Sequence, residues 1–334
     1  MSTRSRALAA ASMIASICWS AGAVSSATEA TGRELAAGAA TAGAFAVQAG
    51  PVARPSAFLA DPDRGRLLRV AQAARPLTDV SSVGNPALAP LKWAGLLLID
   101  VDKQQDHARA CTAQFVSRNV ILTAAHCLQD DETGKSFDPN RTYFLAQYQN
   151  GTASRVYRPI CASNYSGWTA VAHAHGGDER ARAEATHWQW DYALMLLDGG
   201  SDTGHYGDVG LDSLDQFPRS ADSLNNAPHA VVTGYPAAML EGKVIQAADG
   251  IVAIPDARFG QHLFVAGHGR EGLTVGSSGG AWVLDFGSGN GNRNLIISVN
   301  SFTMKDSPGL SFGPAILSRD FHTLLDYVAK GCPR

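Results

Sequence analysis

Cys111-Thr112-Ala113-Gln114-Phe115-Val116-Ser117-Arg118-Asn119-Val120-Ile121-Leu122-Thr123-Ala124-Ala125-His126-Cys127 reads as two strands that end in a histidine bracketed by cysteines. From Lys92 onward the texture is the same: short apolar or alternating runs separated by turn residues, the pattern of strands rather than helices. In the first half the runs are Lys92 to Val101, Ala108 to Ser117, Val120 to His126, Thr142 to Gln149, Ser154 to Cys161 and Asp191 to Asp198. In the second they are Ala230 to Pro236, Lys243 to Ile254, His262 to His268, Ala281 to Phe286, Asn294 to Ser301 and Ser311 to Ile316. Six and six suit an all-β chain of two closed six-stranded antiparallel β-barrels, about residues 90–200 and 205–317, which leaves no long exposed edge. Gly199-Gly200-Ser201 and the mostly polar stretch to Ser223 link the two. Ser318 to Ala329, with Phe321, Leu324, Leu325 and Val328 at helical spacing behind a serine cap, predicts a terminal helix packed on a barrel.

Ser278 stands in Gly276-Ser277-Ser278-Gly279-Gly280. A serine hydroxyl is a poor nucleophile near neutral pH unless an imidazole takes its proton and a third group fixes that imidazole. His126 is the candidate base. Asp191, opening the apolar run Tyr192-Ala193-Leu194-Met195-Leu196-Leu197, is the candidate third member, because a carboxylate at the edge of a core is satisfied by accepting an imidazole N–H. Asp198 at the other end of that run reads as a turn residue. Gly276 lets the backbone turn so that its amide and that of Ser278 converge on one spot, where an oxyanion would sit.

Taken together, the segments around His126, Asp191 and Ser278 resemble the chymotrypsin-like (trypsin-fold) serine peptidases, over residues 86 to 334. The order His, Asp, Ser is that family's order. Val231-Val232-Thr233-Gly234-Tyr235-Pro236 adds a second-barrel signature and resembles the bacterial glutamyl-endopeptidase-like branch. The resemblance implies a secreted serine endopeptidase acting on protein or peptide substrates, with the active site in the cleft between the barrels. It implies that Ser278 is the nucleophile, His126 the general base and acid, Asp191 the orienter, and that Gly276 and Ser278 form the oxyanion hole. Gly272, Leu273 and Thr274 with Asn300, Ser301 and Phe302 would line the substrate pocket. It further implies a Cys111–Cys127 disulfide, and with it a Cys161–Cys332 pair, for which two buried free thiols are the alternative.

Departures from the family pattern matter too. Trypsin-like zymogens keep an Asp immediately before the serine to pair with a newly cut N-terminus, and here that position is Ser277. Trypsin's basic-specificity Asp falls at Gly272, with Glu271 one place out of register. The glutamyl branch's pocket histidine has no counterpart in Leu295 to Ser301. Two other classes remain open: a catalytically inactive protease-like binding protein, and an α/β-hydrolase esterase. Gly276 to Gly280 satisfies the esterase motif, but that fold needs a helix directly after the serine and a later Asp and His, and His322 is the last histidine.

Met1 to about Ala27 has Arg4 and Arg6, the apolar stretch Ala7 to Trp19 and small residues to Ser25-Ser26-Ala27, the pattern of a signal peptide over residues 1–27. Cys18 could mark a lipid anchor, but Ile17 before it is a poor fit. Residues 28–85, with an amphipathic stretch around Arg64 to Ala73, read as a pro-segment or a flexible leader that stays attached. Cys111, Cys127, Cys161 and Cys332 are an even set suited to an oxidising compartment. No later run approaches a membrane span. The net charge of -3 without a basic block argues against nucleic acid, and a monomer is expected. No cofactor or metal is expected: His173, His175 and His187 lack a complete zinc set and read as solvated loop histidines, and Asp130, Asp131, Glu132 and Asp138 lack the alternating oxygens of a calcium loop.

Overall fold

The computed structural model describes residues 14–17, 46–48, 81–82, 87–102, 107–130, 134–168, 186–219, 227–237, 240–254, 262–267, 273, 275–287, 292–304 and 307–333. The body of the chain is two curled antiparallel sheets. The first holds β1 (Ala94–Asp102), β2 (His107–Phe115), β3 (Val120–Thr123), β4 (Tyr143–Ala146), β5 (Arg155–Tyr157), β6 (Pro159–Tyr165) and β7 (Ala193–Leu197), in the order β6-β7-β3-β2-β1-β4-β5. The second holds β8 (His229–Gly234), β9 (Gln246–Ala253), β10 (Leu263–Gly267), β11 (Ala281–Leu284), β12 (Leu295–Val299), β13 (Phe302–Met304) and β14 (Ser307–Pro314), in the order β12-β11-β8-β9-β10-β14-β13. Ser301 N→Phe312 O at 2.9 Å and Ile316 N→Ile297 O at 3.0 Å bring the ends of this second curl together.

From Ala94 onward each sheet thus has seven strands among the described residues where six are expected. The run Ser154 to Cys161 is in fact two strands, broken at Arg158, because Pro159 has no N–H to continue a ladder. Opposite that break the register shifts between Leu196 and Leu197. In the second sheet Phe302–Met304 turns back on β14 as an extra hairpin arm. His126 does not end a strand either. β3 stops at Thr123, and His126 lies in the short helical turn α1 (Ala125–Leu128).

The crossing between the sheets is more than a polar linker. Tyr206, Val209, Leu211, Leu214 and Phe217 are buried along it. Gly210 N→Ile296 O at 2.8 Å and Leu211 N→Ile316 O at 2.9 Å stitch it to the second sheet. The terminal helix α2 (Ser318–Ala329) then returns to the first sheet and packs on β6, β7 and β3. Phe321, Leu324 and Val328 are its buried stripe, each contributing about 1.5–3 kcal/mol of burial. Ser318 is the first helical residue rather than the cap. The cap is Leu317, without a side-chain bond, and Ser318 N reaches Leu211 O at 2.9 Å instead.

Both disulfides form. Cys111–Cys127 joins β2 to α1, and Cys161–Cys332 ties β6 to the residues after α2 across a separation of 171 residues. Closing so long a loop removes about 5 kcal/mol of unfolded-state entropy in the chain-entropy model. The Cys161→Ser/Cys332→Ser double variant should therefore unfold at markedly lower denaturant while retaining its turnover when folded. A midpoint within experimental error of the wild type contradicts this.

Three short leading segments add to the sheets: Ile14–Ile17 antiparallel to Ala162–Tyr165, Ala46–Gln48 parallel to His107–Arg109, and Ser81–Ser82 antiparallel to Gln246–Ala247. The rest of the expected signal and pro-segments, Arg64 to Ala73 included, lies outside the described residues. No helix among the described residues is long and apolar enough to cross a membrane.

Candidate active site

A 3-10 turn, Thr186–Trp190, delivers Asp191 to the start of β7 with no exposed surface. The first N–H groups of a helix have no partner within it. Asp191 Oδ1 takes one of these, the amide of His126, at 2.8 Å. Asp191 Oδ2 faces His126 Nδ1 at 2.7 Å and also accepts from the Ser301 hydroxyl. Burial alone would raise this carboxyl's pKa. The His126 charge, with hydrogen bonds from the His126 ring, Ser301 and the His126 amide, outweighs burial and holds it below the ordinary carboxylate range. An ionised carboxylate only accepts, so the Nδ1 facing it carries a proton.

Ser278 sits on a turn whose carbonyls are held one after another. Ala237 N donates to Val275 O at 2.7 Å, Thr112 Oγ1 to Gly276 O at 2.9 Å, Gly280 N to Ser277 O at 2.8 Å, Thr112 N to Ser278 O at 2.7 Å, and Gln114 Nε2 to Gly279 O at 3.0 Å. Two of these donors belong to Thr112 and one to Gln114, so the turn is docked on β2, the strand that Cys111–Cys127 ties to the helix of His126. Ser278 O lies 3.9 Å from Cys127 Sγ. Ser278 itself stays partly exposed. The amides of Gly276 and Ser278 have no acceptor among the described residues, whereas those of Gly279 and Gly280 donate to Asn300 O and Ser277 O. The turn of Ser278 and the helical turn of His126 thus share one anchor, β2, with Ser278 partly exposed.

The Trypsin family model matches residues 98–316. The chain belongs to the trypsin family of serine endopeptidases. Solved structures similar to this trypsin-family chain share its fold. The protease Anisep from Arthrobacter nicotinovorans matches at TM-score 0.54 and 18% identity, over 76% of this chain and 100% of that one. A thermostable serine protease, AL20, from an extremophilic microorganism matches at 0.50 and 22%, over 72% and 97%. A Glu endopeptidase in complex with MPD matches at 0.52 and 15%, over 78% and 100%. Against curated protein sequences the chain has no match.

Around this trypsin-family centre the residues expected to bind substrate fall into different surroundings. Asn300 is buried and its side chain is fully bonded inside the protein, Nδ2 to Thr233 O at 2.8 Å and Ser277 O at 3.1 Å, and Oδ1 to Trp282 Nε1 at 2.8 Å. Phe302 stacks on Phe312 at 4.8 Å and meets Trp188 at 4.9 Å. Leu273 is buried and accepts from Ser277 Oγ at 2.8 Å. Gly272, Thr274 and Glu271 lie outside the described residues. His187 is not a solvated loop histidine: it is buried among Trp168 and Trp188. His173, His175, Asp131 and Glu132 lie outside the described residues, while Asp138 caps the turn Pro139–Arg141 through Asn140 N at 2.8 Å. Cys111, His126 and Cys127 crowd within 4.8 Å, but their sulfurs bond one another and are no metal ligands.

Sequence reasoning missed the bond from Ser301 to Asp191 and the bracing by Thr112 and Gln114. The available signal is a polar residue inside a buried strand, and Thr112 and Gln114 within His107–Phe115 carry it.

Proposed function

We propose that this trypsin-family chain is exported and cleaves peptide bonds through an acyl-enzyme on Ser278. The observation that carries this reading is the fully buried Asp191 carboxylate bonded to both Nδ1 and the amide of His126, next to the braced turn of Ser278. Ser278 Oγ attacks the scissile carbonyl carbon as His126 Nε2 takes its proton. The carbonyl oxygen gains the negative charge and is met by the amides of Gly276 and Ser278, each donor worth about 3 kcal/mol of barrier. The C–N bond then breaks, and His126 returns the proton to the leaving amine. Water repeats the sequence on the acyl-enzyme, releasing the acid and restoring Ser278.

Export is supported by the leader at residues 1–27 and by two disulfides, which persist in oxidising compartments. Removal of residues 28–85 is the proposed maturation step. Ser277, at 2% exposure, has its hydroxyl on Leu273 O and carries no charge to receive an N-terminal ammonium. An unpaired buried charge would cost several kcal/mol. The active form therefore needs no particular free N-terminus.

The test is labelling by a serine-directed fluorophosphonate of forms beginning between Ser81 and Lys92, each with and without one added N-terminal residue. Labelling is expected at Ser278 in all of them and absent in His126→Ala. A wild type that does not label is a protease-like protein without catalysis. Labelling that collapses with a single added residue makes the N-terminus part of the site.

A further inference from the structure

An oxyanion hole works only if its amides point at one spot, and a trans peptide is planar, so each N–H points opposite to the carbonyl that precedes it. Holding the carbonyl of Ser277 therefore aims the amide of Ser278. That carbonyl accepts from Gly280 N at 2.8 Å within the turn, and from outside the turn it accepts from Asn300 Nδ2 at 3.1 Å. Asn300 is well suited to the task because nothing about it is free to move. Its backbone bonds Gly280 O at 2.8 Å and is bonded by Gly279 N at 2.7 Å, on the far side of the same turn. The second hydrogen of its amide goes to Thr233 O at 2.8 Å. An indole N–H can only donate, so Trp282 Nε1 fixes which amide atom is oxygen and leaves the nitrogen facing Ser277.

We propose that Asn300 is a positioning residue that orients the Ser278 amide of the oxyanion hole, in place of a charge pair beside the nucleophile. This rests on the reading of Ser278 as nucleophile. It assigns Asn300 a role other than lining the pocket, and it locates the order of the hole inside the folded chain rather than at a cut terminus. Because the hole matters only once charge develops on the substrate oxygen, losing Asn300 affects the transition state and leaves ground-state binding alone.

Asn300→Asp and Asn300→Leu test it, the first putting an acceptor against the Ser277 carbonyl and the second removing the donor without adding charge. Both should lower kcat about 100-fold, the size of losing one hole donor, with KM within about threefold. Affinity for a peptide boronate, whose adduct on Ser278 places an oxygen in the hole, should fall in step with kcat, while affinity for the corresponding product peptide stays level. Unchanged kcat in a folded variant overturns the proposal. So does equal weakening of boronate and product peptide. Failure of both variants to fold also overturns it, since Asn300 is then framework. A wild type inert to fluorophosphonate sinks the reading of Ser278 instead, and a reactive wild type with equally active variants sinks this inference alone.

Discussion

Asp191→Asn is expected to lower kcat about ten-thousand-fold near neutral pH while leaving the fold in place, the size of the equivalent change in the best-studied triad. The atoms around Asp191 say why. His126 N is a donor 2.8 Å from Oδ1, so an asparagine there must turn its oxygen to that amide. Its nitrogen then faces His126 Nδ1, which has to become an acceptor. The ring proton moves to Nε2, and the atom that should take a proton from Ser278 already carries one. The same carboxylate couples stability to pH. Its pKa is lower folded than unfolded, so its contribution is complete above the unfolded value of about 3.9 and is lost as pH falls through the folded value. Acid unfolding should be shallower in Asp191→Asn. Steady-state kinetics and urea melts against pH check both, and retention of more than about a tenth of kcat removes Asp191 from the mechanism.

Gly279→Ala should be nearly as damaging, by a different route. Gly279 has φ +83°, a region that costs an L-residue roughly 1–2 kcal/mol. An added methyl would also stand 2.3 Å from Thr123 Oγ1, 2.4 Å from Thr112 O and 2.8 Å from Ala124 N, two of them backbone atoms of the strand and loop leading to His126. The turn of Ser278 must then lift off β2. The expected result is at least the 100- to 1000-fold loss of a missing oxyanion donor, together with about 2–4 kcal/mol of stability. A folded Gly279→Ala enzyme with near-normal kcat would mean that the docking of the turn on β2 has no part in catalysis.

What was legible in the sequence was local. His126 beside Cys127, Asp191 before an apolar run and Ser278 among glycines each announce themselves within a few residues, and alternation marked most strands. What stayed hidden depends on partners far away in the chain. The Ser301 hydroxyl reaches Asp191 across 110 residues, and Thr112 Oγ1 reaches Gly276 across 164. No periodicity encodes such meetings; the curl of the sheets makes them. The split at Pro159 was readable in principle, since a proline inside a strand run argues for a break. The return of α2 to the first sheet was not, because an amphipathic helix states that it needs an apolar surface without saying whose.

That return has a consequence for damage by the enzyme's own activity. Cys161 belongs to the first half and Cys332 to the end of the second, so any single cut between them leaves both pieces in one covalent molecule. A protease living among copies of itself meets such nicks. Here a nick in the crossing opens the chain without parting the two halves that supply His126 and Ser278, and the pieces separate only when the bond is reduced.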